Sequence, residues 1–323
     1  MKAQMAPNSK LPVSLSDIYS AQTRIKPFVK KTPLLTSHRL DEIFGERLIF
    51  KCENFQSTGA FKVRGAHNAV LLLNEDQASN GVVTHSSGNH AAALSLAARN
   101  CGLRACIVMP SNAAKVKVES VRRLGAEIIF CDPTITAREE AASKIVKERG
   151  AALIHPYDNP SVIAGQGTAA AEFLEEAPDL EAVLAPVGGG GLMSGTAVAV
   201  KGVRPGTRIL ATEPERADDA YRSWRSGVLT PGDAPDTIAD GLRTTLGGNA
   251  FVILRELLDD FATVSEVSII EAMRLVWDVM KIVIEPSSAV PIAALLERKF
   301  QFNGGRVGVI LTGGNVDLDR LPF

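Results

Sequence analysis

Apolar and polar positions along this chain follow two periods, and the switching between them sets the fold class. Ala105-Cys106-Ile107-Val108-Met109 and Glu127-Ile128-Ile129-Phe130-Cys131 are short strand-like runs. Between them Val116, Val118, Val121 and Leu124 mark one face of a helix. A charged helix from about Ala137 to Arg149 leads into a third run, Ala152-Leu153-Ile154-His155. Strand, helix, strand in this order predicts a parallel sheet, because parallel neighbours need a crossover and the helix supplies it. Upstream, Gly81-Val82-Val83-Thr84 precedes an alanine-rich helix from Ala91 to Arg99. Downstream, Ala182 to Val187, Ile209-Leu210-Ala211-Thr212 and Val307-Gly308-Val309-Ile310-Leu311 read as apolar strands, the last fully buried. The expected architecture is α/β, with open, mostly parallel twisted sheets flanked by helices. We expect a small domain at residues 75–150 and a discontinuous large domain built from residues 1–74 and 151–323. No repeat with a period of about 20–50 residues interrupts this scheme.

Bulk properties narrow the class. The 323 residues suit two domains, or one large α/β domain with an insertion. A net charge of −1 leaves no basic footprint for nucleic acid. No apolar run reaches the roughly 18 residues a membrane span needs. Met1 to Lys10 carry neither an apolar core nor a cleavage pattern, so a cytoplasmic protein is expected. Cys52, Cys101, Cys106 and Cys131 have no ligand spacing and read as reduced thiols.

Four segments carry candidate chemistry. Lys62 sits among apolar neighbours in Ser57-Thr58-Gly59-Ala60-Phe61-Lys62-Val63-Arg64-Gly65. Burial there favours the free amine, which can form a Schiff base with a carbonyl cofactor. A surface lysine with a buried stem is the plainer alternative. Ser86-Ser87-Gly88-Asn89-His90 follows a strand and precedes a helix, where loop N–H groups can hold an anion. An ordinary N-cap explains one of those polar residues, and five in a row less well. Gly188-Gly189-Gly190-Gly191 lies between an apolar strand and a helix starting near Leu192. Backbone N–H groups free of side chains can converge on a phosphate there, whereas a flexible linker would seldom be bracketed this way. Thr312-Gly313-Gly314-Asn315 closes the last strand and puts a hydroxyl at its tip, or is a common turn.

In this order the motifs closely resemble the fold-type II pyridoxal-phosphate enzymes, the tryptophan synthase β-like architecture. Within them the best match is the serine/threonine dehydratase and serine racemase branch. The likeness runs from Lys31-Thr32-Pro33-Leu34 to Gly314-Asn315-Val316-Asp317, through Ala164-Gly165-Gln166-Gly167-Thr168 and Ile284-Glu285-Pro286-Ser287-Ser288. The resemblance implies pyridoxal 5'-phosphate as cofactor, with Lys62 bonded to it and Phe61 beside its ring. Asn89 would bond the ring hydroxyl, Gly188 to Gly191 would hold the phosphate, and Thr312 would face the pyridine nitrogen. Ser86, Ser87, Asn89 and His90 would grip the substrate carboxylate. A homodimer with a small amino-acid substrate is implied as well.

Details of the resemblance bear on the reaction. Ser87 stands where threonine dehydratases usually have alanine, as in serine racemases and hydroxyaspartate dehydratases. In the racemases that serine is the acid/base opposite the lysine. Glu213-Pro214-Glu215-Arg216-Ala217-Asp218-Asp219 resembles the racemase cation site, with Glu213, Asp219 and the carbonyl of Ala217 as ligands for Mg²⁺, or Ca²⁺ or Mn²⁺. A solvated acidic helix start is the alternative. Departures include Ala92, where many relatives carry glutamine, and Thr312, where serine or cysteine is commoner. In Asp240-Gly241-Leu242-Arg243-Thr244-Thr245, Arg243 and Thr244 are candidate substrate contacts, and Arg138 matches an arginine near the substrate in serine racemases. Arg243 or Arg138 pairing with a distal carboxylate would favour 3-hydroxyaspartate over serine or threonine. The expected activity is an ammonia-lyase that removes water from a 3-hydroxy amino acid. A racemase using Lys62 and Ser87 is the alternative, and a non-catalytic phosphate-binding module a remote one. The chain stops soon after Asp317, so isoleucine feedback through a C-terminal regulatory domain is not expected.

Overall fold

The computed structural model describes residues 11–86, 88–113, 115–232 and 235–323. Met1 to Lys10 and Ser87, which figure in the reading above, lie outside these residues. In chain order the α-helices are α1 (Leu15–Ile25), α2 (His38–Phe44), α3 (Lys62–Leu71), α4 (Glu75–Ser79), α5 (Asn89–Asn100), α6 (Lys115–Arg123), α7 (Ile135–Arg149), α8 (Pro160–Glu176), α9 (Gly191–Val203), α10 (Asp219–Ser226), α11 (Gly248–Leu257), α12 (Glu266–Met280) and α13 (Pro286–Leu296). The strands are β1 (Leu34–Leu35), β2 (Arg47–Cys52), β3 (Val82–His85), β4 (Ala105–Pro110), β5 (Glu127–Cys131), β6 (Ala152–Leu153), β7 (Leu180–Pro186), β8 (Arg208–Pro214), β9 (Asp260–Val264) and β10 (Arg306–Leu311).

They form two sheets, of order β1-β2-β10-β7-β8-β9 and β5-β4-β3-β6. The smaller sheet is parallel throughout. The larger is parallel except for β1, which runs antiparallel to β2. Helices cover both faces of the larger sheet, which is why its central strands are apolar on both sides. Successive residues of β7 alternate between the two cores. Val183 and Ala185 pack with residues of α8, α9 and α11. Ala182 and Leu184 pack with residues of α12 and α13.

Two expectations about element ends are corrected. Asn89 and His90 belong to the first turn of α5, so the polar loop is shorter than the sequence indicated. The first turn closes when Ala91 N–H bonds the Gly88 carbonyl, 3.0 Å. β6 spans two residues, because His155 turns away to accept N–H groups of Tyr157 (3.4 Å) and Asp158 (2.9 Å) at Nδ1.

Helix α8 holds the site's two main supports at backbone distance. A Cβ on Gly165 would lie 2.6 Å from Gly65 Cα on α3, and one on Gly195 of α9 would lie 2.5 Å from Gly167 N. The Ala164-Gly165-Gln166-Gly167-Thr168 motif is thus a pair of close helix crossings, tolerable only without side chains.

Candidate active site

The carboxyl ends of β10 and β7 in one sheet and of β3 and β4 in the other surround a single cavity of about 770 Å³. Open α/β sheets bind ligands at these ends. Lys62 opens α3, and the chain before it is fixed to β10. Ala60 bridges Gly313, and Phe61 N–H bonds the Thr312 carbonyl at 3.0 Å. Lys62 Nζ donates to the Pro156 carbonyl at 3.0 Å and lies 5.2 Å from the Phe61 ring centroid. Burial pulls its amine down to about 8, against the opposing charge of Glu285. An amine so placed is still mostly protonated at pH 7 but gives up its proton far more readily than an exposed lysine.

Gly188 to Gly191 line the same cavity and lead into α9. Gly190 has φ +87°, in the left-handed region. A Cβ on Gly189 would sit 2.2 Å from the Tyr157 ring, and one on Gly188 2.9 Å from Thr244 Oγ1. No side chain caps α9. Thr244 Oγ1 is buried without a hydrogen-bond partner among the described residues. Free N–H groups, an uncapped helix start and an orphan hydroxyl together suit a phosphate.

Asn89 reaches the cavity from α5 with both ends of its amide engaged. Its Nδ2 donates to Glu285 Oε1 (2.8 Å), and its Oδ1 accepts from Asn315 Nδ2 (2.9 Å). One Nδ2 hydrogen remains for a ligand. Burial pushes the Glu285 carboxyl up to about 8, with Asp240 adding to the rise. Thr312 lines the cavity beside Glu285, and its Oγ1 lies 3.1 Å from Ser288 Oγ.

Ser86, Gly88 and His90 complete the β3–α5 side. His90 is buried and held by its Nε2 contact to the Ile154 carbonyl, 3.3 Å. Burial and the Lys62 charge hold it well below the usual histidine range, so it is neutral. Arg138 and Arg243 both line the cavity, each with its Nε on a nearby carbonyl: Thr134 at 3.2 Å and Thr237 at 2.7 Å. Lys117 of α6 pairs with Asp240 across the cavity. Sequence reasoning assigned no role to Tyr157, Lys117, Ser288, Glu285 or Asn315. The last three stood in quoted motifs, whereas nothing in the chain pattern singled out Tyr157 or Lys117.

The Glu213 segment lies at the end of β8, away from this lining. Glu213 is fully buried and accepts N–H bonds from Ala220 (3.4 Å) and Tyr221 (2.8 Å). Asp219, also buried, accepts from Leu246 N–H at 2.8 Å. Burial and the neighbouring Asp219 hold the Glu213 carboxyl well above the usual range, and burial pushes Asp219 up to about 6. Ala217 is buried in the connecting turn.

A buried lysine with a lowered pKa, a glycine turn that suits a phosphate and a side-chain amide around one cavity fit an enzyme that carries a phosphorylated carbonyl cofactor. The chain belongs to the pyridoxal-phosphate dependent enzyme family, whose model matches residues 25–313. It is 50% identical over 307 residues to the β-hydroxyaspartate dehydratase of Paracoccus denitrificans (strain Pd 1222), covering 95% of this chain and 98% of that one. It is 47% identical to the serine racemase of Arabidopsis thaliana, covering 98% and 97%. Among solved structures, maize serine racemase superposes with a TM-score of 0.93 at 44% identity, covering 95% of each chain. The fold is therefore that of the fold-type II pyridoxal-phosphate enzymes. No helix among the described residues is long and apolar enough to cross a membrane.

Proposed function

We propose that this chain is a dehydratase that converts a 3-hydroxy amino acid, with 3-hydroxyaspartate preferred, to a 2-oxo acid and ammonia. One observation carries the reading: a single cavity combines the readily deprotonated amine of Lys62 with the guanidinium groups of Arg138 and Arg243. The amine suits removal of a Cα proton, and the guanidinium groups suit a second carboxylate. The printed activity of the Paracoccus relative supports the same substrate.

Bound pyridoxal 5'-phosphate supplies an aldehyde that captures amines and a ring that draws electrons from Cα. In the proposed arrangement Gly188 to Gly191 hold its phosphate, Asn89 donates to its phenolic oxygen, and Phe61 packs beside its ring. Thr312 meets the pyridine nitrogen. Ser86 and Ser87, with the first-turn backbone N–H groups of Asn89 and His90, would present donors to the substrate's α-carboxylate, with Thr244 nearby. Lys62 takes the Cα proton and the β-hydroxyl departs as water once protonated. A neutral Thr312 leaves the ring a weaker electron sink than a carboxylate would, which suits prompt loss of that hydroxyl.

A divalent cation is proposed at Glu213, Asp219 and the carbonyl of Ala217, Mg²⁺ first with Ca²⁺ or Mn²⁺ as alternatives. Two buried carboxyls whose proton affinity is raised by burial support a hard cation there. The separate sheets support two domains, proposed as residues 1–74 with 151–323 and residues 75–150, with β6 of the smaller sheet just past that boundary, and the setting is read as a cytoplasmic homodimer. The four free cysteines agree with such a setting.

The likeness to serine racemase keeps one second reading in view, a racemase using Lys62 and Ser87. Both are tested by incubating the loaded protein and Mg²⁺ with 3-hydroxyaspartate isomers, L-serine and L-threonine. Equal 2-oxo acid and ammonia, fastest from a 3-hydroxyaspartate, is the expected result. Lys62→Ala should lower that rate by roughly 10²–10⁴-fold or more. D-serine formed faster than 2-oxo acid from L-serine would make the racemase the better reading.

A further inference from the structure

Ser288 lies on α13, outside the cavity lining, with no accessible surface. Its hydroxyl makes two contacts: it accepts the Gly313 N–H at 2.9 Å and faces Thr312 Oγ1 at 3.1 Å. Only one hydroxyl can donate across that pair. Gly313 uses a lone pair of Ser288 and none of its hydrogen. If Thr312 were the donor, the Ser288 hydrogen would have no acceptor among the described residues. It would be stranded beside Ala289, Val290 and Ile292, which are fully buried. An orphaned buried donor is costly, so Ser288 donates and Thr312 accepts. The hydrogen of Thr312 is then released toward the cavity that Thr312 lines.

We infer that Ser288 is a positioning residue that fixes Thr312 as a hydrogen-bond donor into the cavity, where it serves an unprotonated pyridine nitrogen. This rests on the reading above that the nitrogen lies at Thr312. The direction of the chain of bonds matters chemically. Thr312 accepting on one side donates more strongly on the other, because linked hydrogen bonds polarise one another. A nitrogen that receives a hydrogen bond without a proton keeps the ring a weak electron sink. The three links Ser288, Thr312 and ring nitrogen therefore form one unit, of which only the middle member touches the cofactor. Ser288 thus tunes the ring from a position no substrate can reach.

The test loads the full-length protein with pyridoxal 5'-phosphate labelled with ¹⁵N in the ring and reads the nitrogen resonance, together with the rate of cofactor release. In the unsubstituted protein the resonance should fall where a hydrogen-bonded, unprotonated pyridine lies. Thr312→Val should move it toward free pyridine. Ser288→Ala should move it part of that way and speed cofactor release by about 2- to 12-fold, the span of one net hydrogen bond. Ser288→Cys, similar in size and a weaker donor, should fall between Ser288→Ala and the unsubstituted protein, and serves should Ser288→Ala fold poorly. A resonance that moves with Thr312→Val and stays put in both Ser288 variants would overturn the role of Ser288 and leave Thr312 at the nitrogen. A resonance unmoved by Thr312→Val would remove the underlying placement and this inference with it. A pyridinium resonance in the unsubstituted protein would likewise overturn it.

Discussion

Arg64, Lys51, Glu53 and Glu172 are buried together where β2, α3 and α8 meet, and Glu213 and Asp219 are buried together at the end of β8. The first group neutralises itself. Arg64 Nε bonds Glu53 at 2.8 Å, Arg64 Nη2 bonds Glu172 at 2.7 Å, and Lys51 reaches Glu172 at 2.8 Å. Thr32 donates to Glu53, and Thr168 lies 3.1 Å from Arg64 Nη1. Burial pushes the Glu172 carboxyl up, but Arg64 and Lys51 together outweigh it and the net shift is downward. The second group relies on backbone N–H donors, and Arg222, whose charge draws Asp219 down, bonds Asp218 at 2.8 Å. That is too little to keep either carboxyl in its usual range. Burial alone thus does not mark a ligand site. The proposed cation site differs in holding carboxyls that the chain's own groups leave uncompensated.

Three measurements would break or sharpen this contrast. The largest effect is expected from Arg64→Met, which leaves Glu53 and Glu172 short of partners. Urea unfolding should show a loss of about 3–5 kcal/mol. A loss near zero would mean that the cluster is no more self-compensated than the acidic pair.

Next comes pH. The Asp219 carboxyl is raised from 3.8 to about 6, so the folded state holds its proton more tightly than the unfolded chain. Its stabilising contribution is complete below the ordinary value and is lost as pH rises through about 6, a change of roughly 3 kcal/mol. Glu172 is lowered, so its contribution has the opposite sign and is lost as pH falls below the usual carboxylate range. Urea midpoints measured across pH 3–7 in a chelator should show the first slope, and Glu213→Gln with Asp219→Asn should flatten it. A slope unchanged by that pair would place its origin elsewhere.

The third effect concerns the cation. Mg²⁺ at a hundredfold excess over its dissociation constant should raise unfolding free energy by about 2.7 kcal/mol, and Glu213→Gln should abolish the gain. It should also reverse the pH slope above, because a bound cation favours the unprotonated carboxylates. Equal stabilisation of the Glu213→Gln variant would detach the cation from this pair.

The sequence revealed the groups whose role is local. Lys62 opens its own helix, and Gly188 to Gly191 follow their own strand into a helix, so periodicity and turn chemistry singled out both as candidates. The two-sheet α/β plan was equally legible from alternating apolar runs. What stayed hidden depends on contacts between distant segments. Glu285 meets Asn89 across 196 positions, and Asn315 meets Asn89 across 226. Lys117 finds Asp240 across 123. No period or spacing encodes such meetings. Arg138 and Arg243 were visible as candidates, but their Nε contacts to nearby carbonyls emerge only from the folded backbone.

A cofactor is a molecule of fixed length, and the site must match that length at both ends. Lys62 rides on α3 and the glycine cradle on α9, and both helices rest against α8 through Gly165 and Gly167. Helix α8 is in that sense a gauge block, with its two bare positions setting the span between the Lys62 amine and the proposed phosphate seat. An added methyl at either glycine would register as a wrong length before any residue that touches the cofactor had changed.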